Sequence, residues 1–295
     1  MISLFTNKSK LNLLNSKGAQ ILELKFLNKN GDWIEVIDGY KDSEDFFFSG
    51  SFLMFPWVNR LESTEYPKGS SLKAHAYDGN GYAIHGSVFK AYRNIITFLN
   101  TKVELKISET IETFPEVTEI FSLKENLLEI ETIFFNSSNN PQYFAYGYHP
   151  YIKIGNFKID NLIFETNCSD NISLGKNYLP TNPISKIPIQ DILVPGSKIN
   201  NLSLDHLFVN SKGTDAYIKL ISKDLNIGVE ISTVCDSECA IPNPFFQVYT
   251  PSHRNSIAIE PMNSIGNAFF INGAPLTHLS PGEKKSGKFQ IRFIE

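Results

Sequence analysis

The chain has 295 residues, a formal net charge of −4 and 42% hydrophobic residues, enough for a sizeable core in one large all-β domain or two smaller ones. The mild acidity leaves no electrostatic footprint for nucleic acid or an anionic membrane surface, and no run approaches the roughly 20 apolar residues of a membrane-spanning helix. Three cysteines, Cys168, Cys235 and Cys239, are an odd count without a second pair to complete a zinc site. They read as reduced thiols, and the N-terminus lacks a basic region followed by a continuous apolar core. The expectation is a soluble cytoplasmic protein, monomer or homodimer, binding neither nucleic acid nor membrane.

In chain order, the opening reads as strands. Gln20–Leu27 and Asp32–Ile37 alternate, with Asn30-Gly31 between them as a hairpin signal. A Phe-rich segment at 45–55 runs into PWVNRLES, where Asn59 and Arg60 follow Pro56-Trp57. A loop with Asp78-Gly79-Asn80-Gly81 precedes YAIHGSVF, in which His85 stands before Gly86. Glycine there permits a positive φ or close backbone approach. Val103–Ser108, Thr118–Leu123 and Leu127–Phe135 alternate in turn, with KEN at 124–126 as a turn. Residues 160–204 are the least periodic part. Alternation returns in Ala216–Ile221, Gly228–Thr233, Phe245–Tyr249, Ile257–Ile259 and Lys288–Ile294. No amphipathic helix, fixed repeat or Gly/Ser linker interrupts this pattern. Many short strands at close spacing predict an all-β sandwich or barrel-like fold, taken as one domain over residues 1–295.

Between the strand signals stand polar residues with chemistry to offer. The stretch AYGYHPYIKI at 145–154 places His149 among Tyr146, Tyr148 and Tyr151, and Pro150 marks an irregular spot in the strand. It reads either as a Tyr-rich strand with a core or rim histidine, or as a binding or proton-transfer site, since histidine titrates near neutrality. Asn59, Arg60, His85, Asp205-His206 and Gln247 interrupt other strand-like runs. Glu260 ends the apolar run Ile257-Ala258-Ile259 and precedes Pro261. A carboxylate there is costly unless hydrogen-bonded or used, and burial would lift its pKa toward the range of a general base. Each of these residues also has a purely structural reading: a rim ion pair, a turn, a sheet-edge donor, a satisfied carboxylate.

The six histidines contain no HxH, HxxxH or HExxH spacing, so no metal is expected, although a site could still assemble in space. No GxSxG nucleophile elbow, P-loop or GxGxxG occurs.

Six segments together point to one family. VNRLE at 58–62, IHG at 84–86, GYHPYIKI at 147–154, LDHLF at 204–208, FQVYT at 246–250 and IEPMNSIGNAF at 259–269 run across nearly the whole chain. In this order the chain resembles the aldose 1-epimerase (mutarotase) family, in its divergent bacterial branch. The resemblance implies a large antiparallel β-sandwich of the galactose-mutarotase type and a cofactor-free interconversion of the α and β anomers of a free hexose. It implies Glu260 as general base on the anomeric hydroxyl and His149 as general acid on the ring oxygen. His85 would assist near the same oxygens, and Asn59, Arg60, Asp205 and Gln247 would hold sugar hydroxyls, with Tyr148 or Trp57 as an aromatic wall. A sugar ring is expected to fit between His149 and Glu260. Departures from the family pattern bear on the substrate: FPWVNR replaces a GR…NR doublet, PMN follows Glu260 in place of TQ, and Ser87 replaces a second glycine after IHG. Two alternatives stay open. One is a hexose-6-phosphate 1-epimerase, with Arg93 or Arg254 as phosphate partners. The other is a catalytically inactive carbohydrate-binding module on the same fold.

Overall fold

The computed structural model describes all residues except 43–45, 67–71, 109–112, 214 and 237–239; Cys239 therefore lies outside the described residues. The architecture is all-β, and every ladder between its strands is antiparallel. The only helices among the described residues are short 3-10 turns.

Two large sheets form the body. The back sheet has nine strands, in the spatial order Ser197–Lys198, Ile163–Thr166, Tyr217–Ser222, Ile227–Val234, Lys284–Ile294, Leu127–Phe135, Glu116–Lys124, Lys102–Ile107 and Arg93–Leu99. The front sheet has eight. Lys186–Pro188, Asp170–Ile172, Asp205–Val209, Phe245–Tyr249, Ile257–Met262, Gly147–Tyr148 and Leu53–Met54 lie side by side, and Tyr151–Ile152 also pairs with Ile257–Met262. A four-stranded sheet, Ile2–Phe5, Ser9–Leu14, Gln20–Leu27 and Trp33–Glu35, and two small strand pairs complete the fold.

Period-2 alternation decides what each front strand offers to each side. From Phe245–Tyr249, Phe246 and Val248 enter the main core together with Ile257 and Ile259 of the next strand and Phe121, Ile130, Ile231 and Ile291 of the back sheet. All eight are essentially inaccessible to solvent, and fully burying each such side chain contributes roughly 1.5–3 kcal/mol. The intervening residues, Phe245, Gln247 and Tyr249 on one strand and Ala258, Glu260 and Met262 on the other, must face away from that core. There a second apolar cluster, with Phe46, Phe52, Met54, Phe89, Leu207 and Met262, covers part of the outer face. What it leaves uncovered is polar.

Strand boundaries depart from the sequence reading in an informative way. Ile257–Met262 runs through Glu260 and Pro261, so the carboxylate sits inside the strand rather than at its end. The AYGYHPYIKI segment forms two short strands, Gly147–Tyr148 and Tyr151–Ile152, broken at His149-Pro150. Proline cannot donate to a ladder, and at the break the His149 N–H donates to the Phe52 carbonyl at 3.0 Å.

Candidate active site

The outer face of the front sheet opens into a cavity of about 320 Å³, at the small end of the roughly 300–1,000 Å³ typical of ligand pockets. All seven residues expected from the sequence line it: Asn59, Arg60, His85, His149, Asp205, Gln247 and Glu260. Register explains most of this convergence. Gln247 pairs opposite Glu260, Leu207 opposite Gln247 and Asp205 opposite Tyr249, while Ala258 lies between Tyr249 and Tyr151. Cross-strand neighbours on one face lie roughly 4.5–5.5 Å apart, so Asp205, Gln247, Tyr249, Glu260 and Tyr151 form one patch. His206, one residue on from Asp205, does not line the cavity and stacks on Phe208.

The remaining wall is held by a strained corner. Asn59 and His85 both have left-handed backbone, φ 50° and 63°, which costs a non-glycine residue roughly 1–2 kcal/mol. The His85 N–H donates to the Asn59 carbonyl at 2.9 Å, and the pair Arg60–Leu61 with Ala83–Ile84 locks the two segments together. Gly86 has φ 78° and passes so close to Phe55 that any Cβ would collide with its backbone. That corner aims His85 at His149, with ring centroids 4.9 Å apart and edge to face.

At the centre, His149 Nε2 lies 3.1 Å from Glu260 Oε1. This contradicts the expectation of a sugar ring's width between them. Both groups are buried, and neither finds another partner for these atoms, so they turn to each other. Burial pushes the Glu260 carboxyl well above its ordinary value, with Asp205 adding in the same direction and Arg60 opposing. Burial pulls the His149 imidazole down to about 3. His85 is also held well below the usual histidine value, by burial first and then by His149 and Arg60. The favoured state of the pair is therefore one proton, carried by the carboxyl and donated to Nε2, with both residues neutral. Glu260 Oε2, His149 Nδ1 and Gln247 Oε1 are buried without a hydrogen-bond partner in the protein.

The polar rim is organised around Arg60. Its Nε donates to Asp78 Oδ2 at 2.7 Å, one terminal nitrogen donates to Asn59 Oδ1 at 3.1 Å, and the other lies 4.0 Å from Asp205 Oδ2. The guanidinium sits over the Tyr178 ring at 4.9 Å. Gln247 Nε2 donates to Asp205 Oδ1 at 2.5 Å.

Several lining residues stand outside those seven. Asp78, a turn residue in sequence, closes that turn through Oδ1, which accepts the N–H groups of Asn80 and Tyr82, while Oδ2 fixes Arg60. The aromatic walls are Phe47, Phe48, Tyr77, Tyr151 and Tyr249. Tyr148 and Trp57 are not among them, because both point into the protein interior. Tyr249 was legible, two residues beyond Gln247 on the same face. Arg93 is fully buried between the sheets, and Arg254 is paired with Asp160 at 2.6 Å, so neither cation offered for a phosphate lines the cavity. The side chains of His85, His149 and Glu260 bring nitrogen and carboxylate atoms within 4.8 Å of one another, a grouping that no histidine spacing in the sequence announces.

No protein-family profile matches the chain, and no curated protein matches it by sequence. Its backbone nevertheless superposes on solved structures along almost its whole length. A proposed aldose 1-epimerase of Escherichia coli K12 has a TM-score of 0.79 at 15% identity, covering 99% of this chain and 98% of that one. A galactose mutarotase-like protein of Clostridium acetobutylicum gives 0.79 at 17% identity, covering 99% and 94%. A GalM/aldose epimerase homologue of C. elegans gives 0.77 at 17% identity, covering 99% and 98%. At this identity the likeness is one of fold, and it is complete: the chain has the antiparallel β architecture of the galactose mutarotase-like proteins.

Proposed function

We propose that the protein is an aldose 1-epimerase acting on a free hexose, with Glu260 and His149 as its acid/base pair. The observation that carries this reading is the buried contact of His149 Nε2 with Glu260 Oε1, 3.1 Å, in a sugar-sized cavity. Ring opening of a hemiacetal removes the proton from O1, breaks C1–O5 and supplies a proton to O5. Moving the pair's proton from Glu260 to His149 gives the carboxylate–imidazolium form; from it Glu260 takes the O1 proton, the C1=O1 bond forms as C1–O5 breaks, and His149 gives its proton to O5. The pair ends as carboxylic acid and neutral imidazole. After rotation about C1–C2, closure on the other face runs the same transfers backwards. The pair holds one proton throughout, and each half-reaction moves it from one partner to the other. Because O1 and O5 are bonded to the same carbon, two groups in contact with each other can address both; a ring's width between them is not required.

The rim suits the substrate. Asn59, Arg60, Asp205 and Gln247 provide charged and amide donors and acceptors for hydroxyls, and His85 faces the reacting pair. A sugar hydroxyl donating to Gln247 Oε1 would satisfy an acceptor whose buried isolation costs roughly 1–3 kcal/mol. Among the described residues the wall's one guanidinium, Arg60, is engaged by Asp78, which favours a neutral sugar over its 6-phosphate.

The test is polarimetry of fresh α-glucose and α-galactose, with α-glucose 6-phosphate alongside. Accelerated equilibration of a free hexose is expected. Calorimetric sugar binding without any acceleration would make the protein a carbohydrate-binding module instead, and preference for the 6-phosphate would overturn the choice of substrate.

A further inference from the structure

We propose that His85, His149 and Glu260 also form a binding site for a first-row divalent metal ion of the Zn²⁺ or Co²⁺ class, which competes with sugar for the cavity. The competition rests on the sugar reading above; the metal site rests on the geometry alone.

The donor set is chemically complete. Two imidazoles and one carboxylate make the facial combination that binds such ions and leaves positions open to the cavity. Donor atoms of all three lie within 4.8 Å of one another, and His149 Nε2 and Glu260 Oε1 are already 3.1 Å apart, as two ligands of one ion would be. The His85 tautomer fits. Its Nδ1 lies 3.1 Å from Met54 Sδ, and a thioether sulfur can only accept, so Nδ1 carries the hydrogen and Nε2 keeps its lone pair. A metal-ligating histidine normally donates its other N–H to a carboxylate, carbonyl or water; here the Met54 thioether takes that place. Orientation is fixed before any ion arrives: His85 by its left-handed backbone against Gly86, and His149 by stacking on Phe52 at 5.0 Å.

Charge is also suited. The metal would replace the single proton shared by Glu260 and His149, and one carboxylate would offset part of its charge, with Asp205 across the cavity offsetting more. Glu260 Oε2, now without a hydrogen-bond partner, could complete a bidentate ligand. Against these, His149 Nδ1 lacks an acceptor behind it, which makes the site one for reversible occupation rather than for a permanently held ion.

Cobalt titration of the purified, chelator-treated protein tests the proposal. Expected are the ligand-field bands of four- or five-coordinate Co²⁺, saturating at one equivalent, reversed by Zn²⁺ and displaced by excess glucose or galactose. Ring-proton resonances of His85 and His149 in the unmutated protein should show paramagnetic shifts. Since loss of an outer-shell partner alone costs roughly 10–100-fold in affinity, His85→Ala and Glu260→Gln should each cost at least the upper figure. Cys235→Ser and His253→Ala should change nothing, and circular dichroism of each metal-free variant checks its fold. Shifts confined to other histidines, no saturable uptake, or equal losses in the cysteine control would overturn the site. Saturable cobalt that excess sugar leaves in place would overturn the competition. Failure of mutarotation with cobalt binding intact would remove the epimerase reading and leave the metal site standing.

Discussion

Tyr148 and His149 are neighbours in the chain, yet they enter two buried polar clusters on opposite sides of the front sheet. Tyr148 points between the sheets, where its hydroxyl donates to Glu119 Oε1 at 2.7 Å and meets Thr132 Oγ1 at 2.9 Å. Glu119 Oε2 accepts from Arg93 Nε at 2.5 Å, and another Arg93 nitrogen donates to the carbonyls of Val88 and Ala91. His149 points outward to Glu260, and there the buried acceptor Oε2 and the ring Nδ1 are left without partners. Both clusters contain a carboxyl group and a nitrogen base out of reach of water. The inner one is an ion pair with both carboxylate oxygens satisfied and Arg93 Nη2 left without a partner; in the outer one Glu260 Oε2 and His149 Nδ1 are unpaired, and burial favours the neutral form of both groups. A buried carboxylate satisfied on both oxygens fixes geometry, whereas perturbed, unpaired groups lining a cavity are the usual signature of chemistry.

Mutation should separate the two. Glu260→Gln and His149→Asn remove an acid/base partner each, and mutarotation should fall by roughly 10²–10⁴, with urea unfolding midpoints near that of the parent. Activity within a fewfold of the parent in either variant would refute the role given to that residue.

Glu119→Ala should do the opposite. It leaves the Arg93 guanidinium buried without its carboxylate, a loss expected to cost about 3–5 kcal/mol of stability, read from denaturant titration. The fraction that remains folded should retain its turnover number. A large loss of turnover with little loss of stability would mean that the inner cluster takes part in the chemistry.

Much of this division was legible in sequence. Gln20–Leu27, Leu127–Phe135 and Phe245–Tyr249 match the strands residue for residue, because each turns a period-2 apolar face to the core. The seven residues that line the cavity stand out in sequence because each breaks such a pattern, and the resemblance ties them to one proposed chemistry. The inner cluster was not legible. Arg93 and Glu119 sit in ordinary alternation as residues that normally face solvent, and only the packing of one sheet on another turns them inward. For the same reason Tyr148 was misplaced into the cavity wall: period 2 puts it opposite His149, and the break at Pro150 obscured the phase.

The proton held by the outer pair should be visible in stability against pH. Unfolded, Glu260 and His149 would titrate near their ordinary 4.5 and 6.5. Folded, the histidine stays neutral down to about 3, and the carboxyl keeps its proton well above its ordinary value. The folded pair thus binds one proton where the unfolded pair binds two below 4.5, one between 4.5 and 6.5, and none above. Its contribution to stability is greatest between those values. It is lost as pH falls toward 3, because His149 resists charging, and lost as pH rises, because Glu260 resists ionising. Each side should slope by at most about 1.4 kcal/mol per pH unit. His149→Asn should flatten the acid side and Glu260→Gln the alkaline side; unchanged slopes in both would mean that the pair is not neutral.

The smallest effect belongs to the rim. Asp78 joins a turn to Arg60, and the two jobs can be told apart by its two oxygens. Asp78→Asn keeps Oδ1 as an acceptor for the N–H groups of Asn80 and Tyr82 but puts a donor where Arg60 Nε needs an acceptor. Both partners of the ion pair are largely buried, so its loss should cost roughly 1 kcal/mol or somewhat more. If Arg60 holds a sugar hydroxyl, Asp78→Asn and Asp78→Ala should raise KM severalfold alike and leave kcat near the parent value, since neither touches the acid/base pair. A rise confined to Asp78→Ala would assign the effect to the turn and remove Arg60 orientation from the account of sugar binding.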